Sequence, residues 1–461
     1  MNMRWQPQKR RSSRSISGSN LLAALTGVVM TIAIVLGGAS RSNLLPLQIV
    51  EIACLPLLAY ALWRMLNEPL PGRLKAPLVL LGAMYAILIV QLIPMPDVLW
   101  AKLPGHAWPA EVRRMTGVTP GWSPISLLPS ETLSHLLALL PPTAIFLAVC
   151  GLKSEQRRWL TLIPLLIAVF SVMLGAAQVA QGSESNLYLY EHANTDSAVG
   201  IFVNRNHQAA LLIACLPLAA LWLKLDRHQT RQTLVPAAFA MGIFLMEIVA
   251  LVVVKSRAGV LLLVPAIVAS LLLVWRNERG EGRRGATLLG GVVAVTLIVA
   301  VAAGIGPILD RFTSANDLEE GGRFTAAVTT AKAAMEYLPF GSGSGTFVPV
   351  FAAHENVDLM GPKYWNHAHN EFLEIFLETG LAGLAALIGF LIWICRRAFL
   401  AWAAPTSPAA NLACAGSIVV GLLLLHSTVD FPLRTMAMAS IFAFACGLLV
   451  SPREATSRSK R

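Results

Sequence analysis

The chain has 461 residues, of which 56% are hydrophobic and only 13% charged, with mean hydropathy +0.63; ordinary soluble domains carry about 25% charged residues. A water-soluble globule of this size cannot hide so much apolar surface, so the composition excludes a soluble enzyme and points to a polytopic membrane protein. The net charge of +11 would suit a nucleic-acid binder, but in a membrane protein it is first a matter of topology.

About 20 mainly apolar residues cross a bilayer. On that ruler the sequence predicts an all-α chain of about twelve spans, near 21–39, 44–63, 76–94, 132–151, 160–180, 208–223, 234–254, 259–275, 286–306, 372–395, 411–426 and 435–450. A basic tail over 1–20 precedes a single transmembrane domain over 21–450, and a short tail over 451–461 follows. The first span has a long apolar run behind a long basic tail, which reads as an uncleaved anchor rather than a signal peptide. With the amino terminus inside, about 24 of the 36 Lys and Arg fall in alternate connections, from Arg64, Arg73 and Lys75 to Arg396 and Arg397. That is the positive-inside pattern, with both termini cytoplasmic.

Three outer segments are long: 95–131, 181–207 and 307–371. In the last, Phe324, Val328, Ala331 and Met335 recur at helical spacing and predict an amphipathic helix over 321–337 on the outer membrane face, ended by Leu338-Pro339. Gly341-Ser342-Gly343-Ser344-Gly345 lacks the Lys-Ser/Thr of a phosphate loop and reads as a flexible turn. Cys54, Cys150, Cys215, Cys395, Cys414 and Cys446 all lie in apolar runs and read as small buried hydrophobes.

Four polar clusters fall on the predicted outer side. Val254-Lys255-Ser256-Arg257-Ala258-Gly259 puts two cations in a tight turn between spans; snorkelling is one reading, and a cation pair holding phosphate is the other. Asn204-Arg205-Asn206-His207 stands at a helix entrance, as an Asn-rich cap or as donors to an anion. Gly321-Gly322-Arg323 opens the amphipathic helix. Tyr364-Trp365-Asn366-His367-Ala368-His369-Asn370-Glu371 leads into the next span. Histidines at i and i+2 diverge by about 200° on a helix, so His367 and His369 suit a general base better than a metal pair. Glu51 and Glu247 lie inside spans, and Glu247 leads toward Lys255 and Arg257. In His426 to Arg434, Asp430 and Arg434 are close enough to pair and read as scaffold.

Arginines beside a histidine suit a reaction in which a lipid-linked diphosphate leaves and a hydroxyl attacks, with no metal or other cofactor called for. In order along the chain, NRNH, SRAG, GGR, PFGSGSGTF and HAHNEFLEIFLETGLAGL over about 195–430 resemble the O-antigen ligase and polymerase family of bacterial envelope proteins. The resemblance implies an inverting, metal-independent glycosyltransferase of GT-C type in the inner membrane, acting on an undecaprenyl-diphosphate-linked glycan at the periplasmic face. Carried onto this sequence, it makes His369 the base with His367 as the alternative, and gives the diphosphate to Arg257, Arg205 and Arg323, with Lys255 beside them. His207, Asn370 and Glu247 are further candidates. One departure from the family pattern is Glu371, which stands where an aromatic residue often follows the HN pair. The acceptor stays open among lipid A-core, a growing polysaccharide and a protein hydroxyl, with NRNH leaning slightly toward a polymerase. A different class, a multi-span anion or inorganic-carbon transporter, would use Glu51, Glu247 and the outer arginines as a path.

Overall fold

The computed structural model describes residues 18–39, 44–68, 72–223, 234–276, 290–291, 317–356 and 364–450. The described residues are mostly helical, at 75% helix with little strand. In chain order the helices are α1 Gly18–Leu36, α2 Leu44–Asn67, α3 Lys75–Leu92, α4 Asp97–Trp100, α5 Ala107–Met115, α6 Pro129–Ala138, α7 Leu140–Cys150, α8 Ser154–Leu160 and α9 Leu162–Gln181. They continue with α10 Arg205–Leu223, α11 Leu234–Val253, α12 Arg257–Trp275, α13 Asp317–Glu336, α14 Phe347–His354, α15 Glu371–Ala403, α16 Pro408–His426 and α17 Met436–Leu449. Among the described residues nine helical stretches are long and apolar enough to cross a membrane, and Ala238–Leu251 and Met436–Leu449 are shorter apolar ones. Helices cover each predicted span except 286–306, of which only residues 290–291 are described; the tail residues 1–17 and 451–461 lie outside the described residues.

One departure from an all-helical chain falls in the segment 95–131. Prolines at alternate positions stop α3 from continuing, and Pro94–Pro96 (β1) pairs antiparallel with Trp122–Pro124 (β2), Met95 opposite Ser123. The cysteine expectation needs one correction: Cys395 is exposed, while the other five are buried. It sits on α15, a helix with much of its span surface open, so an apolar run there faces outward rather than into a core.

Helix α10 is the axis of the molecule. Every residue from Asn206 to Leu223 is buried, because α9, α11, α12 and α16 pack around it. A helix apolar on all sides needs such a position. Its amino terminus, where Asn204-Arg205-Asn206-His207 stands, is thereby fixed in the middle of the bundle.

At the opposite end of the bundle, arginines close helix carboxyl termini. Arg157 is fully buried and donates to the carbonyls of Cys150 (3.1 Å), Leu152 (3.1 Å), Gly447 (3.2 Å) and Val450, which belong to the ends of α7 and α17. Arg276 does the same for α15 through Ala401 (2.9 Å), Trp402 and Ala404, and Arg397 donates to Leu449 (2.6 Å). Helix ends leave orphan carbonyls and a negative dipole end, and a guanidinium answers both.

Candidate functional site

Helices α10, α12, α15 and α17 all begin at the same end, and the first three are started by the motifs read from the sequence. Asn204 Oδ1 accepts from the Asn206 N–H at 2.9 Å, Ser256 Oγ from Gly259 N–H at 3.0 Å, and Asn370 Oδ1 from Leu373 N–H at 3.1 Å. Each motif thus supplies a helix cap, which satisfies one orphan N–H of the first turn. The role given to Asn370 by position alone is this cap. Two of the motifs add a strained residue just before it: Lys255 (φ 58°) and His369 (φ 51°) have left-handed backbones, the only non-glycine ones among the described residues. Such conformations cost of order 1–3 kcal/mol and persist where the surroundings impose them.

The caps also bring the motifs together. Ser256 donates to Asn206 Oδ1 at 2.8 Å, tying the Lys255–Arg257 turn to the start of α10. His207 packs edge-on to Phe431 (5.0 Å between centroids), and His367 (4.3 Å) and His369 (4.9 Å) pack on the same ring. Trp365 stands against His369 (5.7 Å), and Gly322 lies against Trp365, so α13 reaches the cluster through its second turn. Arg205 pairs with Asp196 at 3.1 Å. Arg205, Lys255, Arg257 and Arg323 are all half-buried. Glu247 is not part of this group: it is buried in α11, about 12 Å along the helix axis from Lys255, with neither carboxylate oxygen hydrogen-bonded among the described residues.

The two histidines are set apart by their carboxylate partners. His369 Nδ1 lies 3.1 Å from Oδ1 of the fully buried Asp430, and His367 Nδ1 lies 2.8 Å from Oε1 of Glu374. An ionised carboxylate only accepts, so each ring carries its proton on Nδ1 and turns Nε2 outward from the pair. The His367 Nε2 atom is itself buried, whereas the His369 side chain keeps 16% of its surface accessible. Burial alone would raise the Asp430 carboxyl, but the His369 hydrogen bond and the favourable electrostatics of the neighbouring His369, His207 and His426 rings outweigh it and hold it well below the usual carboxylate range.

Here the pairing of Asp430 with Arg434 is corrected. Asp430 turns to His369, and Arg434 turns to α15, 3.0 Å from Glu378 and 3.5 Å from Glu374. Burial would make Arg434 easier to deprotonate, but Glu378, Glu374 and Glu371 together push it up and keep it charged. Glu371, Glu374 and Glu378 fall at i, i+3 and i+7, one face of a helix. Glu371 accepts from Ser427 Oγ (2.6 Å) and Leu433 N–H (2.7 Å), Glu374 from Ala368 N–H (2.9 Å), and Glu378 from Gly345 N–H (2.9 Å). The carboxylates therefore fasten the His367–His369 segment, the 426–435 turn and the glycine loop to one platform, and Glu371, the departure from the family pattern, is one of the fasteners.

The glycine loop is a rigid part of that platform and not the flexible turn expected from its composition. Ser342, Ser344 and Thr346 are buried, and Gln91 bridges the loop to α15, accepting from Ser344 N–H (3.0 Å) and donating to the Glu378 carbonyl (2.7 Å). At Gly343 (φ 109°) a Cβ would lie 2.3 Å from Ser126 Oγ, so only glycine fits both the backbone and the gap. Gly380 (φ 59°) breaks α15 where the loop docks; the Pro339 carbonyl accepts from the Leu381 N–H at 3.0 Å, and a Cβ on Gly380 would stand 2.2 Å from that oxygen. Helix α13 begins earlier than expected, at Asp317. Its buried side is Ala326, Thr330, Ala333 and Ala334, while Phe324, Val328 and Met335 of the predicted apolar stripe are exposed.

Asp430, Phe431, His426, Glu374 and Glu378 were not singled out as site residues. The acidic i, i+3, i+7 series on an apolar helix was the available signal for the last two. Nothing local marks Asp430, which is joined to His369 only by the packing of α15 against α16.

Fold and site together define a multi-pass, all-α membrane protein with a polar site where several helices begin. Residues 237–388 match the family model described as O-antigen ligase. Over that segment the chain is similar to the O-antigen ligase family, and its apolar helices are those of a multi-pass membrane protein. The matched segment holds the Lys255–Arg257 turn, α13 and the His367–His369 segment; Arg205, His207 and Asp430 lie outside it. No curated protein matches the chain.

Proposed function

We propose that the chain is an inverting, metal-independent glycosyltransferase of the bacterial inner membrane. It takes a glycan from undecaprenyl diphosphate at the periplasmic face and passes it to lipid A-core or to a growing polysaccharide. The observation that carries this reading is His369: its Nδ1 is held by a buried carboxylate, its ring reaches accessible surface, and it stands beside helices that begin with Arg205 and Arg257. A cation as the first residue of a helix works against the macrodipole. Two such arginines at neighbouring helix starts raise the positive potential already supplied by the N–H groups, as an incoming diphosphate requires.

In the reaction, the acceptor O–H bond breaks and its proton goes to Nε2 of His369. The acceptor oxygen bonds to the anomeric carbon from the face opposite the leaving group. The bond from that carbon to the diphosphate oxygen breaks, and the oxygen keeps the electron pair. Arg257, Arg205 and Arg323, with Lys255 beside them, balance the charge that gathers on it. His367, whose Nε2 is enclosed, supports the platform in this scheme.

The test is transfer by purified protein with a lipid-linked glycan donor. His369→Ala is expected to lose product by about 100-fold or more at unchanged folding, with a smaller loss for His367→Ala. Full activity of His369→Ala would overturn the base assignment, and solute flux into vesicles free of lipid-linked glycan would favour a transporter. In a deletion strain, polymer made but unattached marks a ligase, and single repeat units mark a polymerase.

A further inference from the structure

Behind His369 lies a group of buried polar atoms that the transfer scheme leaves unused. Both ring nitrogens of His207, both ring nitrogens of His426, Nε2 of His367 and Oδ2 of Asp430 are buried, and these six have no hydrogen-bond partner among the described residues. They come from separate elements, α10, α16, the strained segment before α15 and the turn after α16. They nevertheless meet in one place: His207 and His367 pack on the Phe431 ring, the Asp430 N–H donates to the His426 carbonyl at 3.0 Å, and Asp430 interacts electrostatically with His369, His207 and His426.

Buried polar groups are nearly always satisfied, and a group of them facing one another marks a hydrated pocket rather than a dry core. The inventory is balanced for water. Each neutral imidazole offers one donor and one acceptor, Nε2 of His367 accepts because its Nδ1 donates to Glu374, and the carboxylate oxygen accepts. Two donors and four acceptors cannot all pair with one another, whereas about two or three waters, each making about three hydrogen bonds, bridge such a set.

We propose that His207, His426, His367 and Asp430 line a buried pocket that binds a small cluster of ordered water, and that this cluster solvates the far oxygen of Asp430 while its near oxygen orients His369. The inference rests on the transferase reading for its consequence, but the pocket itself does not. His426 is a positioning residue in this scheme: it touches neither substrate nor the reacting atoms and acts through Asp430. The other charged groups nearby, Glu374, Glu371, Glu378 and Arg434, are engaged with one another, with His367 and with backbone N–H groups, which leaves Asp430 dependent on the pocket.

The test compares His426→Leu with His426→Gln in the full-length protein in lipid nanodiscs. Leucine removes the polar lining, and glutamine keeps a donor and an acceptor within similar reach. His426→Leu is expected to lose about tenfold in kcat and His426→Gln to recover most of it. The acid limb of the pH–kcat profile should move to higher pH in the leucine variant, because a carboxylate stripped of water makes the His369–Asp430 pair hold its proton more tightly. A cryo-electron microscopy map of the wild-type protein that resolves waters should show density between His207, His426 and Asp430. A dry pocket in that map overturns the proposal whatever the activities are, as does wild-type turnover and pH profile for His426→Leu. Should the leucine variant fail to accumulate, the wild-type map decides. Absence of any transfer by the wild-type protein, with water density present, defeats the transferase reading and leaves the pocket standing.

Discussion

Arg157 and Arg434 are both deeply set in the bundle, at opposite ends, and they are balanced in different ways. Among the described residues Arg157 has only backbone carbonyls as hydrogen-bond partners, from Cys150, Leu152, Gly447 and Val450. Arg434 faces side chains, Glu378 and Glu374. At the Arg157 end the partners are the last turns of helices, present whatever residues occupy them, so the arginine acts as a shared cap and the end is chemically quiet. At the Arg434 end helices begin, the backbone offers donors rather than acceptors, and buried cations there need carboxylates. Those carboxylates also hold the histidines. The difference teaches that helix direction decides what an arginine can do: it closes the structure where carbonyls point out, and it helps build a reactive, side-chain-dependent site where N–H groups point out.

The sharpest way to break the comparison is Arg434→Met. Removing one member of a buried ion network leaves uncompensated charge, here on Glu374 and Glu378, at about 3–5 kcal/mol; loss of the folded protein, or a large fall in melting temperature in detergent, is the expected result. Arg157→Met comes next, with four carbonyls losing a charged donor at about 1–3 kcal/mol. Arg157→Lys should not recover it, since an ammonium cannot reach two helix ends as a planar fork does. Transfer activity per folded molecule should be unchanged in the Arg157 variants and abolished in any Arg434 variant that survives. Equal effects on specific activity would dissolve the distinction between the ends.

A smaller effect follows from pH. Because Asp430 is held below its unfolded range, its ionised form adds stability above about pH 4, and that contribution is lost as pH falls through the folded value. Thermal melts should therefore show wild type and Asp430→Asn converging as pH is lowered from neutral toward acid; a gap independent of pH would remove the charge from the explanation. Smallest of all is Glu111→Ala. Its pairing with Arg114 is solvent-exposed on α5, away from both ends, and melting temperature should not change measurably.

Much of the fold was legible because bilayer-crossing helices leave long apolar runs that need no partner to be recognised. The same local character made Lys255, Arg257, Arg205 and the His367–His369 segment visible as polar groups in apolar surroundings. The glycine loop was misjudged because composition reports freedom of the backbone and not what surrounds it; Gln91, Ser126 and Glu378 pack it rigidly. Helix α13 was found, but its small-residue side turned inward against α14 and α15, since alanines allow close helix approach while Phe324 and Met335 do not.

By itself the sequence determined that this is a helical membrane protein, where most of its spans lie, and that its unusual polar residues gather in four motifs. Those properties are encoded in neighbouring residues, through hydropathy, capping and charge. Only the tertiary structure decided which carboxylate serves which histidine, that Arg434 belongs to α15 rather than to Asp430, and that His207, His367, His369 and His426 surround residues 430 and 431. His369 and Asp430 are 61 positions apart, and no local pattern links them. Their meeting depends on how α15, α16 and α10 pack, and a buried charge finds its partner by that packing, not by its place along the chain.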